Sequence, residues 1–277
     1  MAHLEHLVLE AGDISITIDP GMGGRATELR IDGIDVLGAR SQNPVEYGMY
    51  PMAPWAGRIR GNAVSHLGRS HLMPVTYEPW ALHGTILAAP FEVIGHEVAS
   101  DASQLMLEGR LGDTWPWPGI CNLTWELTPS ELRTSISLDA EGLGYPAVVG
   151  WHPWFRRSLP QGAPLQVSMP ADQRLLRGPD HLPTGEMVPS GNDQGPFDDA
   201  FRVPSKVAAL TWPGWRSIEV HNSHPWFVLF DELPDLVCLE PQSGPPDGMN
   251  SGIEGHCKMV EAGEPLLMET TWKVRSG

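Results

Sequence analysis

The chain has 277 residues, 41% of them hydrophobic and 19% charged, with a formal net charge of −16. These are the proportions of a folded globular protein and exclude a disordered or membrane-embedded chain. The negative field, with no Lys/Arg run to override it, argues against nucleic acid, anionic lipid surfaces and polyanionic substrates, and favours a neutral small molecule.

The opening segment MAHLEHLVLEAG has no basic region followed by an apolar stretch, so it does not read as a secretory signal. No apolar run approaches the roughly 20 residues that span a bilayer. Ile14 to Ile18 alternates apolar and polar residues with a period of two, the mark of a strand. Gly21-Met22-Gly23-Gly24-Arg25-Ala26 follows it and formally fits a dinucleotide-binding loop. That loop needs a helix next, to bring N–H groups to a pyrophosphate. Leu29 to Gly33 instead reads as a second strand and turn, so the glycines are expected to serve a hairpin connection.

Pro54-Trp55-Ala56-Gly57-Arg58-Ile59 and, further on, Leu82-His83-Gly84 are weak signals taken alone. Arg58 read by itself is a surface charge, and His83 a satisfied structural histidine. Leu123, Trp125 and Leu127, then Leu132 to Leu138, give two more alternating strands, each with one wet face.

Gly150-Trp151-His152-Pro153-Trp154-Phe155 sets a histidine among aromatics, with Pro153 biasing it toward extended backbone. Aromatic surroundings disfavour imidazolium and a nearby carboxylate restores it, so His152 reads either as a packed core histidine or as a proton-transfer group. From about Leu159 to Pro204 periodicity is weak and Pro, Gly and Asp are frequent; long loops within the same domain are expected there. Inside it, Phe197-Asp198-Asp199-Ala200-Phe201 carries an acidic pair of the kind that forms turns.

Leu236-Val237-Cys238-Leu239 is an apolar run that ends in Glu240-Pro241-Gln242-Ser243. An ionised glutamate beside a buried strand costs several kcal/mol without a partner, which favours a functional role for Glu240. Met268 to Val274 closes the chain with another alternating strand.

With 27 prolines and 30 glycines no long amphipathic helix fits, so the expected fold is all-β: a large twisted antiparallel sandwich. A sandwich of this size folds as one domain, here over residues 1–277. Cys121, Cys238 and Cys257 provide neither a disulfide framework nor a paired-cysteine zinc site, which points to a reducing cytoplasm. His221, His224 and His256 are too scattered to make a persuasive metal set.

In this order the segments resemble the aldose 1-epimerase (galactose mutarotase) family, in its shorter bacterial form, along nearly the whole chain. The His152-Pro153-Trp154-Phe155 and Glu240-Pro241-Gln242 segments are the most specific. The resemblance implies a supersandwich of galactose mutarotase-like fold that needs no cofactor or metal and acts on a free aldose as monomer or homodimer. It implies His152 as general acid, Glu240 as general base, and Arg58, His83 and Asp198 as groups that hold the sugar. Trp55, Trp151 and Trp154, beside these residues in sequence, are candidate platforms for pyranose C–H faces.

Two departures stand out: Gly57 where the family often has Asn, and Thr85 where a second Gly commonly follows Leu-His-Gly. Both bear on substrate preference. A hexose-6-phosphate 1-epimerase on the same fold is the nearest alternative and would need cations such as Arg60, Arg156 and Arg157 for the phosphate. A non-catalytic sugar-binding protein is the other, although it need not keep both His152 and Glu240. A glycosidase would need two carboxylates flanking the bond, and no Gly-x-Ser-x-Gly elbow is present.

Overall fold

The computed structural model describes residues 6–38, 41–99, 101–191 and 194–276; the first part of the N-terminal segment discussed above lies outside them. Among these residues strands dominate, and the only helical pieces are a turn at Arg60–Asn62 and the four-residue helix Gly248–Ser251. No described helix is long and apolar enough to cross a membrane.

Two large antiparallel sheets carry the fold. The first has 11 strands, with Met49–Met52, Gly150–Arg156, Leu236–Gln242, Trp226–Phe230 and Asp198–Arg202 side by side along its middle. The second has eight, centred on Arg216–Asn222, Leu266–Ser276, Glu131–Ala140 and Gly119–Leu127. In Gly119–Leu127 every second residue is buried, the one-wet-face pattern that alternation predicts. The 14–19 and 25–31 strands pair antiparallel through the glycine turn, so that motif is a hairpin connection. A Cβ at Gly23 would lie 2.3 Å from the Leu87 carbonyl oxygen, which explains the glycine as a close approach of backbone.

The core lies between the two sheets. Trp151 meets Trp125 with ring centroids 4.7 Å apart, and Phe155 lies 6.1 Å from Trp272. Trp55, Trp125, Trp151, Trp212 and Trp272 are all fully buried. Each large aromatic contributes about 4–6 kcal/mol of transfer free energy before the entropy of ordering is subtracted. Because strand side chains alternate, packing of Trp151 on Trp125 and of Phe155 against Trp272 turns His152 and Trp154 to the opposite face of the large sheet.

The stretch from Leu159 to Pro204 differs from expectation. It holds the strands Gln166–Ser168, Gln173–Arg177, Pro183–Pro189 and Asp198–Arg202, of which the last three extend the large sheet. They are short, broken by prolines, and in Pro183–Pro189 largely exposed, so no alternating pattern marks them. The Asp198-Asp199 pair accordingly sits in a strand and not in a turn.

Candidate active site

Neighbouring strands of the large sheet and the loops above them assemble the cleft. His152 stands on the 150–156 strand, opposite Tyr50 of Met49–Met52. The two rings stack at 4.8 Å with an interplanar angle of 12°, which fixes the plane of the imidazole. On the other side of the same strand lies Leu236–Gln242, where Cys238, Glu240 and Gln242 alternate with the core-facing Val237 and Leu239. His152 Nε2 lies 3.2 Å from Glu240 Oε1, and both side chains are less than a tenth exposed.

The second carboxylate oxygen is held separately: Gln242 Nε2 donates to Glu240 Oε2 at 3.0 Å. Gln242 is fully buried, its carbonyl accepts from Asn222 Nδ2 at 3.0 Å, and its own Oε1 has no hydrogen-bond partner. Glu240 is thus aimed by a side chain two residues along its own strand.

Burial governs the protonation of the pair. It pushes the His152 imidazole down to about 3 and holds the Glu240 carboxyl well above the usual carboxylate range, helped there by the nearby charge of Asp198. Burial therefore favours the uncharged arrangement, a neutral imidazole beside a protonated carboxyl, over an ion pair. His83 is likewise kept neutral by burial and by the neighbouring His152 and Arg58.

Arg58 and His83 come from the loops above the sheet. The Gly57 N–H donates to His83 Nδ1 at 3.2 Å, so the ring proton sits on Nε2. The His83 ring lies edge-on to His152 at 4.9 Å. Arg58 reaches across to the 198–202 strand, where its Nη1 donates to Asp198 Oδ2 at 3.0 Å, and its Nε is buried without a partner. The cleft therefore brings together all five residues singled out in the sequence, His152, Glu240, Arg58, His83 and Asp198.

Other expectations are corrected. Trp55 and Trp151 point into the core, and only Trp154 of the three lines the cleft. Arg156 is tied to Asp35, Arg157 donates to the carbonyls of Asp231 and Leu233, and Arg60 pairs with Asp180; none of the three lines the cleft. Thr85 is not a cleft residue either, and its hydroxyl is buried without a partner. His221, His224 and His256, which were not expected to form a set, have separate partners in Glu219, the Leu267 carbonyl and the Trp226 ring.

The sequence reading missed Arg177. Its Nη1 donates to Asp198 Oδ2 at 2.6 Å and its Nη2 to Glu232 at 3.1 Å, so Asp198 is held by two guanidinium groups. Nothing in Gln173-Arg174-Leu175-Leu176-Arg177 announces this. Gln242 did carry a signal, its i+2 position from Glu240 on a strand. Among the described residues one further group could bind a metal: Cys238 Sγ lies within 4.8 Å of both His152 and Glu240 ligand atoms.

A large antiparallel sandwich that gathers a histidine, a carboxylate and further polar side chains in one cleft is the architecture of a mutarotase-like protein. The chain belongs to the aldose 1-epimerase family, whose model matches residues 6–272. It is 23% identical over 262 residues to the uncharacterised protein YphB of Escherichia coli K12, covering 86% of this chain and 87% of that one. A galactose mutarotase-like protein from Clostridium acetobutylicum superimposes with a TM-score of 0.87 at 17% identity, over 98% of this chain and 95% of the other. A galactose 1-epimerase from Lactobacillus acidophilus does so with a TM-score of 0.78 at 16% identity, over 98% and 94%. The fold is galactose mutarotase-like.

Proposed function

We propose that the chain, acting as one domain over residues 1–277, interconverts the α and β anomers of a free aldohexose by opening and reclosing the pyranose ring. The observation that carries this reading is the 3.2 Å contact between His152 Nε2 and Glu240 Oε1 in the sugar-sized cleft. A non-catalytic sugar binder has no use for an acid and a base so arranged.

The chemistry follows from one shared proton. Moving it from Glu240 to His152 creates the reactive ion pair. Glu240 then takes the proton of the anomeric hydroxyl, the C1 carbonyl forms as the C1–ring oxygen bond breaks, and His152 delivers its proton to the ring oxygen. The pair is now neutral again, in the form that burial favours, so the open-chain state meets a site suited to it. Rotation about C1–C2 presents the other carbonyl face, and closure reverses each transfer. No metal or cofactor enters these steps.

Around the reacting centre, Arg58, His83 and Asp198 hold the hydroxyls. The free Arg58 Nε and the His83 Nε2–H are donors, Asp198 is an acceptor, and Trp154 offers an apolar face. Engagement of Arg60, Arg156 and Arg157 elsewhere favours a neutral sugar over a sugar phosphate.

The test follows the optical rotation of freshly dissolved α-D-glucose and α-D-galactose at low buffer concentration. Wild type is expected to hasten equilibration, and His152→Ala and Glu240→Gln each to lose about 10²–10⁴-fold. If wild type hastens neither sugar but acts on hexose 6-phosphates, the phosphate reading replaces this one. If it acts on none of them, catalysis itself is refuted.

A further inference from the structure

Beneath the cleft lies a group that the proposed reaction leaves unused. Cys238 is one of three free cysteines and is fully buried. On the 236–242 strand it shares a face with Glu240, and its cross-strand register partners are Trp154 and Phe230. Its sulfur, the His152 imidazole and the Glu240 carboxylate offer three ligand atoms that all lie within 4.8 Å of one another.

We infer that these three side chains form an inhibitory site for a thiophilic divalent cation such as Zn(II), which seizes the acid and base and excludes the sugar. This rests on the proposed roles of His152 and Glu240. Cysteine, histidine and carboxylate are the three donor types zinc takes, and tetrahedral bonds of about 2.0–2.3 Å require ligand atoms about 3.3–3.7 Å apart. His152 and Glu240 already stand at 3.2 Å, so only the cysteine sulfur has to close in, by about an ångström. Binding releases the Cys238 thiol proton and the Glu240 carboxyl proton to solvent, and the resulting thiolate and carboxylate offset the two positive charges, which makes the bound cluster neutral in a buried place.

Because His152 and Glu240 line the cleft, a fourth ligand, a water or a sugar hydroxyl, would come from that side. Gln242 steadies the carboxylate from behind, as partners of metal ligands do. Calcium and magnesium, which prefer oxygen donors throughout, do not fit this set. Competition with sugar follows from geometry alone, because the metal and the anomeric centre need the same two side chains.

Two measurements on the full-length protein test this. Co(II) added to the metal-free protein is expected to give the thiolate-to-cobalt charge-transfer band, lost on adding Zn(II) and absent in Cys238→Ala and Cys238→Ser. No band in wild type, or a band that survives both substitutions and so reports Cys121 or Cys257, overturns the site. In mutarotation, Zn(II) is expected to inhibit wild type competitively with sugar. Each cysteine variant, measured against its own metal-free rate, should need at least about ten-fold more zinc. Equal zinc sensitivity in wild type and variants overturns the inference. Absence of mutarotation without metal would refute the proposed function instead, while the cobalt band would still report on the site.

Discussion

Replacing Gly57 by alanine tests the way the cleft is built. Gly57 has φ of +73°, and an added Cβ would lie 2.7 Å from Pro246 Cβ and 2.9 Å from its Cγ. The left-handed backbone costs a non-glycine residue about 1–2 kcal/mol. Crowding against a rigid proline ring adds about 1–3 kcal/mol, since neither partner has a flexible end that can swing away. The total is about 2–5 kcal/mol. Gly61 supplies the control: its φ is +63° and nothing lies within 4 Å of the added atom, so Gly61→Ala incurs only the backbone cost. At about 2–4 °C per kcal/mol, Gly57→Ala is expected to melt at least about 5 °C below wild type and clearly below Gly61→Ala. Thermal unfolding followed by circular dichroism reads both. Gly57→Ala should also raise KM, because the Gly57 N–H that sets the His83 tautomer must move. If it melts at or above Gly61→Ala, the close approach of Gly57 and Pro246 does not constrain the loop, and the reasoning fails.

Lowering the pH provides a second test. His83 is neutral when folded, and its unfolded form takes a proton near 6.5, so the unfolded state binds more protons below that value and stability falls as pH falls through it. His152 shifts the same way, but Glu240 shifts oppositely, and between 4.5 and 6.5 their proton counts cancel. Urea unfolding of His83→Asn should therefore show a shallower pH dependence than wild type, by about 1.4 kcal/mol per pH unit below about pH 6; identical slopes would contradict the buried neutral ring. At Asp198, Arg58→Met and Arg177→Met should each raise KM more than they lower kcat. Because both arginines grip one carboxylate oxygen, their effects should be non-additive by about 0.5–3 kcal/mol in a double-mutant cycle. Strict additivity would mean that Arg177 does not help position Asp198.

Much of the fold was readable because alternation survives wherever one sheet face is buried and the other wet. Leu132 to Leu138 and Met268 to Val274 pair with each other as neighbouring strands of one sheet. The strands after Leu159 were not readable, since they are short, proline-bounded and poorly buried, and their pairing is set by partners far off in sequence. The site divides the same way. His152 and Glu240 betray themselves locally, a histidine among aromatics and a carboxylate on an apolar strand. Arg58 and His83 acquire meaning only through the resemblance and through folding, which brings Arg58 to a residue 140 positions away. The tryptophans misled because adjacency in sequence on a strand means opposite faces: Trp151 is next to His152 yet points to Trp125. The balance of charge in the pair was also out of reach, because it depends on burial that no single segment reveals.

The division between strand and loop at the cleft has a consequence for how such a protein can change. His152 and Glu240, the proposed proton-transfer pair, are fixed to two adjacent central strands, where a shift of either would disturb the core behind it. Arg58 and His83, proposed to read the hydroxyls from above, hang on loop segments joined to the rest by isolated bridges, such as Arg58 with Leu82 and Ala53 with Gly84. Redesign for another aldose can therefore start from those loops: library diversity belongs at Arg58 and His83, while Gly57, crowded by Pro246, and the strand residues should be left as they are.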